Sequence, residues 1–472
     1  MPRTPCTRRL RGATIALALA LVLGGGTGAA APALAASRSH PPGKHRVAPA
    51  EVTFAQGQRG PAVPVTLAPV GLSFEYPVMA QALGAGACPP PALVSALQEL
   101  GSPPLSLAGN SQDTTVPAGG ASAPASSWEA ATEYQLPASF WTQLHCLLAS
   151  SPDPLTVGLN LKTGETAWAQ QMVAGAQSAA SAGVSFSLGN EPDLYQLPNY
   201  SALDKPQPDE EGVQVGLYLQ LASALEQTVD GAPVIGPELA GSHWRRELPR
   251  VIAELHLGTV GVHAYPLSAC QTPRAVTVGG LLGDYAGQEP HRLAWVAADA
   301  AAAHVSAIIS EANSASCGGV AGVSDSPAAA VWAVRFVLSA LESGFREVRF
   351  HFSGDPYDPF VVRGAEVIRR PLDYALASLT RWLPLNASLR SLAGVRGLVA
   401  SAVTTSAGQT SLILDDETGK PRAVLVRGAG AVRVETLSAA RTGVQVALRA
   451  ATHGRVKLTV APNSVSVLAP AS

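Results

Sequence analysis

Short apolar runs recur along this chain from residue 70 onward, separated by longer stretches with helical spacing. Eight such runs occupy 70–75, 105–109, 155–159, 184–190, 233–238, 259–265, 306–311 and 347–352. Short, mainly apolar runs of this length suit strands buried on both faces of a parallel sheet. Between them, 164–182, 210–229, 292–304 and 328–343 carry apolar positions at helical spacing, and 371–382 is the last such segment. This alternation predicts an α/β fold, a (β/α)8 TIM barrel over 68–383. Past residue 383 the spacing changes to period two at 410–415, 422–426, 432–437, 445–449 and 457–460. That predicts an accessory antiparallel β-sandwich domain over 384–472.

Two segments interrupt the pattern. Residues 116–127 are rich in Gly, Ser, Pro and Ala and predict a long surface loop on the catalytic side of the second strand. The glycines at 428–430 suggest a nucleotide loop, but no helix follows, so a hairpin is expected. At the amino end, Arg3, Arg8, Arg9 and Arg11 precede an apolar stretch over 13–23 and then Ala33-Leu34-Ala35. This is the order of a secretory signal peptide over 1–35, an uncleaved anchor being the competing reading. Residues 36–49, rich in Ser, His, Pro and basic groups, read as a flexible linker.

Composition narrows the picture. With 472 residues, 47% hydrophobic and 14% charged, the chain can bury a large core. Loss of the signal removes four arginines and no acid, moving the formal charge from −2 to −6. No basic stripe exists, so nucleic acid is not an expected partner. No Cys-x-x-Cys or closely spaced His pair occurs, so neither a metal nor a cofactor is expected. No second segment approaches membrane-spanning length, and the pattern specifies no oligomeric state.

Candidate chemistry sits where the strands end. The fourth run stops on Asn190-Glu191-Pro192, and Pro192 cannot continue a ladder, which puts Glu191 at a carboxyl-terminal strand end. Alone, Glu191 could be a helix or turn cap, and Asn190 an Asx turn. The arrangement repeats 120 positions later, where 306–310 lead to Glu311-Ala312-Asn313-Ser314. Two acids ending two strands are what glycoside hydrolysis needs: one protonates the leaving oxygen while the other attacks or stabilises the anomeric carbon.

These residues resemble the retaining glycosidases of clan A, with Asn-Glu on the fourth barrel strand and the nucleophile on the seventh. More narrowly, the chain is similar to glycoside hydrolase family 79, the heparanase and β-glucuronidase group. Further motifs carry the likeness. Gly71-Leu72-Ser73-Phe74-Glu75-Tyr76 resembles the first strand with its acidic end. Leu105-Ser106-Leu107-Ala108-Gly109-Asn110-Ser111 resembles the second, with Ser106 where the family has Arg and Ala108 at the first Gly. His263-Ala264-Tyr265-Pro266 matches the His-x-Tyr-Pro closing the sixth strand, and Asn313-Ser314-Ala315-Ser316-Cys317-Gly318-Gly319 and Phe350-His351-Phe352 match the seventh and eighth. The likeness spans roughly 50–470, longer than a barrel of about 250 residues, and implies that 50–67 supply strands to the sandwich.

The resemblance implies Glu191 as acid/base, Glu311 as nucleophile and Asn190 as a reader of the sugar 2-hydroxyl. Tyr265 is placed to hydrogen-bond Glu311. His263, His351, Glu75, Asn110, Asp113 and Tyr357 are cleft candidates, with a loop cap the competing role for Asp113 and core packing for the histidines. Tyr195 and Trp244 are either sugar platforms or core aromatics. Loss of Cys6 with the signal leaves Cys88, Cys146, Cys270 and Cys317, which allow three pairings in an exported chain. Because Cys270 and Cys317 follow neighbouring strands six and seven, Cys270–Cys317 with Cys88–Cys146 is expected. The sequons at Asn199 and Asn386 matter only in a eukaryotic secretory host. The function implied is a secreted retaining β-glycosidase acting on an oligosaccharide, glycoside or polysaccharide, and specifically an exo-β-glucuronidase. An endo-acting hydrolase of uronic-acid polysaccharide and a catalytically silent carbohydrate-binding protein are the alternatives.

Overall fold

The computed structural model describes residues 49–55, 62–119, 134–180, 183–195, 210–392, 395 and 398–471. The expected signal peptide, the linker up to residue 48, residues 120–127 of the glycine-rich loop and the sequon at Asn199 lie outside the described residues.

Eight parallel strands close into a barrel: Val70–Phe74, Leu105–Leu107, Leu155–Leu159, Val184–Leu188, Val234–Ile235, Leu257–Ala264, Ser306–Ala312 and Val348–Phe352. The eighth pairs with the first, Val348 opposite Val70 through Phe352 opposite Phe74. Strand side chains are almost wholly buried, as apolar runs covered on both faces require. Several strands stop short of the expected ends because the backbone there leaves the extended region. Gly109, Gly189, Glu191 and Glu238 have φ of 75°, 87°, 48° and 39°. A chain that turns this way leaves the ladder and sets the next side chains on the barrel rim.

Helices Thr166–Ala179, Glu210–Glu226, Ala294–Ala302, Pro327–Glu342 and Pro371–Trp382 occupy the expected stretches. Pro327–Glu342 is buried along nearly its whole length, from Ala328 to Leu341, because it packs on the barrel and against strands of the second β-layer. Its Arg335 is buried there and forks onto Asp415, Nε and Nη2 each donating at 2.8 Å. Such a pair fixes geometry rather than adding large net stability.

The second layer contains a seven-stranded antiparallel sheet and a three-stranded sheet. Val63–Pro64 pairs with Ser388–Ser391, so residues before the barrel contribute to it. Ala50–Thr53 runs parallel to Arg422–Arg427, an exception to the antiparallel pattern. Val52, Leu412, Leu414, Val424, Val426, Val432, Val456 and Leu468 form the core between the sheets. Ser388–Ser391, Val399–Thr404 and Ser464–Pro470 are strands the periodicity did not reveal, since Ser and Ala at alternate positions weaken the contrast on which it depends. The glycines at 428–430 do not close a hairpin. Arg422–Arg427 pairs with Arg455–Val460, whereas Val432–Ser438 pairs with Arg441–Arg449 and Ser464–Pro470, so the chain crosses between sheets there. Cys88 is bonded to Cys146 and Cys270 to Cys317.

Candidate active site

At the carboxyl ends of the barrel strands, five side chains from five strand ends alternate in charge. Glu75 follows the first strand, and its carboxylate accepts from the backbone N–H groups of Asn110 at 3.0 Å and Ser111 at 2.7 Å. That contact seats the turn after the second strand. His351 on the eighth strand stands between two acids, Nε2 3.4 Å from Glu75 Oε1 and Nδ1 3.3 Å from Glu311 Oε2. A register shift after Val262 sets His263 opposite Glu311 across the sixth and seventh strands. His263 Nδ1 lies 3.0 Å from Glu191 Oε1 and 3.7 Å from Glu311 Oε1. Tyr265 donates its hydroxyl to Glu311 Oε1 at 2.7 Å. The order is Glu75, His351, Glu311, His263, Glu191.

Burial alone would push both imidazoles toward the neutral form. For His263 the charge of Glu311, then the hydrogen bond and charge of Glu191 and the charge of Glu238, outweigh it and raise the ring to about 10. For His351, Glu311 and Glu75 do the same, to about 9. Glu191 and Glu75 respond in the opposite sense: burial raises them, but the hydrogen bonds and charges of His263 and His351 respectively bring both below the ordinary carboxylate value. Burial and the Glu311 charge lift Tyr265 well above the usual phenol range, so it acts as a donor.

Ligand atoms of Glu191, His263 and Glu311 lie within 4.8 Å of one another. Three such donors could hold a metal ion, provided that the His263 ring offers it a lone pair by giving up its proton. The same spacing puts a carboxylate oxygen of Glu191 within 4.8 Å of one of Glu311.

Glu191 is held in a left-handed backbone conformation, φ 48° and ψ 51°, by its N–H bond to the Glu238 carbonyl at 3.1 Å. Although it precedes the turn Pro192–Leu194, its carboxylate caps nothing there and points to His263. Asn190 is buried; its N–H donates to Asp113 Oδ2 at 3.1 Å and its Nδ2 to Asn110 Oδ1 at 3.5 Å. Asn190 Oδ1, His263 Nε2, Glu311 Oε2 and His351 Nδ1 are buried with no hydrogen-bond partner. Glu311 Oε2 and His351 Nδ1 still face each other as an ion pair at 3.3 Å, which leaves Asn190 Oδ1 and His263 Nε2 as the orphans; such atoms are costly and uncommon, and they suit a hydroxylated ligand.

Other candidates take supporting places. Asp113 is a loop anchor: Oδ1 accepts from Leu161 N–H at 3.1 Å, and Oδ2 accepts from Asn190 N–H and the Tyr195 hydroxyl. Burial raises it to about 6. Tyr195 is therefore tied to Asp113, with Lys162 Nζ 4.9 Å from its ring centre. Trp244 is buried against Tyr218, with its indole N–H on Gln214 Oε1 at 3.3 Å, which makes it a core aromatic and not a sugar platform. Tyr357 lies 6.4 Å from the Tyr265 ring and 6.1 Å from that of His351, and its hydroxyl accepts from Ser353 at 2.8 Å. Asn313 Nδ2 bonds the carbonyls of His351 and Tyr357 at 3.1 and 3.3 Å, locking those two segments together. Beyond Tyr265 and Glu311, Leu267–Ser268 and Ala315–Ser316 pair, and the Cys270–Cys317 bond closes the same rim.

Glu238 was not singled out from the sequence. It follows the fifth strand after a cis Gly236–Pro237 bond, is 1% exposed, and accepts from Ser187 Oγ at 2.7 Å. Burial raises its carboxyl. The available signal was the one used for Glu191 and Glu311, an acid ending a short apolar run.

No protein-family model matches the sequence, and no curated protein sequence matches it either. Among solved structures, the chain is similar to a 4-O-α-L-rhamnosyl-β-D-glucuronidase from Fusarium oxysporum 12S, with TM-score 0.66 and 16% identity over 89% of this chain and 100% of that one. It is similar to AbfB, a family 51 α-L-arabinofuranosidase from Bifidobacterium longum, with TM-score 0.62 and 13% identity over 89% and 99%. It also resembles Xyn30A, a family 30 subfamily 8 xylanase from Clostridium acetobutylicum, with TM-score 0.54 and 14% identity over 89% and 98%. At these identities the likeness is one of fold: a barrel with an attached β-domain, matched over nearly the full length of each neighbour.

Proposed function

We propose that the protein is an exported retaining β-glycosidase, similar to glycoside hydrolase family 79, in which Glu311 is the nucleophile and Glu191 the acid/base. The observation that carries this reading is the approach of the two carboxylates to within 4.8 Å, each with its own partner, Tyr265 on Glu311 and His263 on Glu191. Retaining enzymes work with carboxyl groups about 5–5.5 Å apart, whereas inversion needs about 6.5–9.5 Å to admit a water.

Glu311 attacks the anomeric carbon as the glycosidic bond breaks and Glu191 delivers a proton to the leaving oxygen. Water then attacks the glycosyl-enzyme, Glu191 takes its proton, and the Glu311 carboxylate is released. Asn190, with an unpartnered buried Oδ1, is suited to the sugar 2-hydroxyl, a bond that strengthens as positive charge develops at the anomeric carbon. Asn110, Glu75 and Tyr357 support the same site: Asn110 accepts from Asn190, Glu75 faces His351, and Tyr357 lies beside Tyr265.

The sugar we favour is a β-linked glucuronic acid at a non-reducing end. Its support is the family resemblance and the likeness to a protein described as a β-D-glucuronidase. Export is supported by the amino-terminal signal pattern and two disulfides. Among the described residues no helix is long and apolar enough to cross a membrane.

The test is hydrolysis of aryl β-glucuronide beside aryl β-glucoside, β-xyloside and β-galactoside, with the first-formed anomer read by NMR. Glucuronide turnover with retained configuration is expected. Preference for another glycoside replaces the sugar and keeps the reaction; inversion rejects the roles given to the two acids. Inactivity on all of these and on uronic polysaccharides rejects the enzyme reading in favour of a carbohydrate-binding protein.

A further inference from the structure

The polar chain has one link with no assigned task. His263 is 2% exposed, and its Nδ1 faces Glu191 at 3.0 Å and Glu311 at 3.7 Å. Its Nε2 is buried without a hydrogen-bond partner, so the close polar contacts of the ring converge on Nδ1. A general acid must begin the reaction protonated, yet Glu191 Oε1 lies 3.0 Å from Nδ1 of a ring whose neighbouring carboxylates favour its charged form. Resting on the glycosidase reading above, we propose that His263 stores the proton for leaving-group departure on Nδ1 and passes it to Glu191 as Glu311 loses its charge.

The physical reason is the position of Glu311 in the chain. While Glu311 is a carboxylate, its charge 3.7 Å away stabilises the imidazolium. The other groups facing the ring are Glu191 from the fourth strand, Glu238 from the fifth and His351 from the eighth. The three carboxylates hold the proton and His351 opposes it. Together they account for a ring raised to about 10 beside a carboxyl lowered from its ordinary value.

When Glu311 bonds to the anomeric carbon, that negative charge disappears and the ring becomes a stronger acid. The Nδ1 proton moves to Glu191, and Glu191 protonates the leaving oxygen, which keeps the electron pair of the broken glycosidic bond. One proton has left the pair, leaving a neutral imidazole and a carboxylate. In the second half-reaction water attacks the anomeric carbon, its proton goes to Glu191, and the regenerated Glu311 charge draws that proton back to Nδ1. His263 is thus a positioning residue that links the charge of one catalytic acid to the proton of the other.

The decisive measurement follows His263 by imidazole 15N NMR in the full chain. Expected is an imidazolium at pH 7 in the wild type, with a deprotonation midpoint at least about one pH unit lower in Glu311→Gln. A neutral ring at pH 7, or a midpoint indifferent to Glu311→Gln, overturns the proposal. Kinetics supply a second test. For His263→Gln, kcat/KM should fall about a hundredfold or more with a phenyl glycoside that needs acid assistance, and only a few fold with a dinitrophenyl glycoside that does not. The alkaline limb of the pH profile should also move down. An equal loss for both leaving groups with an unmoved limb marks a structural role and overturns the proposal. A wild type that hydrolyses no glycoside rejects the proposed function and this inference with it; an active enzyme with a neutral His263 rejects the inference alone.

Discussion

The barrel encloses two buried charged clusters, one layer apart, and they are built on opposite terms. His351 and Arg349 are alternate residues of the same strand and both face inward. Around Arg349 the guanidinium donates to Glu347 Oε1 at 2.7 Å, to Thr156 Oγ1 at 2.8 Å and to the Ser106 hydroxyl. Thr156 in turn meets Ser185 at 2.8 Å. Every charged group there has partners. Around His351, one layer nearer the carboxyl ends, the charged groups also pair, but two buried polar atoms, Asn190 Oδ1 and His263 Nε2, have no partner. A satisfied cluster is finished by folding, whereas an unsatisfied one carries a cost that a bound ligand can remove. Ser106, where the family resemblance led one to expect an arginine, lies in the satisfied layer, and the eighth strand supplies the guanidinium instead.

This contrast breaks most readily at Glu311. Glu311→Gly should lower turnover by more than about a thousandfold without weakening the fold, and added azide should yield a glycosyl azide of inverted configuration. In Glu191→Ala, azide with an activated substrate should give the retained product. Glu311→Ala activity within tenfold of the parent would exclude it as nucleophile.

The lower cluster should answer in stability instead. Arg349→Met leaves Glu347 buried and unpaired, which should cost about 3–5 kcal/mol by denaturant unfolding. A variant as stable as the parent would mean that this layer is not the structural one.

The two layers should also separate by pH. His263 and His351, normally near 6.5, stand at about 10 and 9 in the fold. Raised values stabilise fully below about 6.5, and that contribution is lost as pH rises through 9 to 10. Tm should therefore decline from pH 7 to 10, and His351→Gln should flatten part of the decline. An unchanged slope would remove His351 from the account. The smallest effect belongs to Tyr195→Phe, which deletes one hydrogen bond to Asp113 beneath the Asn190 turn. About 1 kcal/mol of stability should be lost, with kcat/KM reduced only a few fold.

Much of the barrel was legible because its strands are buried on both faces and read as short, mainly apolar runs. Three sandwich strands were not: Val399–Thr404 and Ser464–Pro470 are mostly buried, but with Ser and Ala interleaved among few large apolar residues they barely depart from loop composition. Glu191 and Glu311 stood out as acids ending such runs, and Glu238 carried the same signal without being taken up. Trp244 shows the limit of position alone: it follows a strand end as a sugar platform would, but its ring turns into the core.

Taken by itself, the sequence determined the order of strands and helices, the change to period two after the barrel, and which strands end on acids. These are local properties, encoded in spacing and in where proline and glycine interrupt a run. Only the tertiary structure decided that Glu75, His351, Glu311, His263 and Glu191 form one alternating chain, and that Asp113 anchors loops instead of facing the cleft. Barrel closure brings residues from both ends of the sequence to within hydrogen-bond distance. At that range, in a buried setting, charge and partner count set each group's protonation, and neither can be read from a residue's own neighbours in the chain.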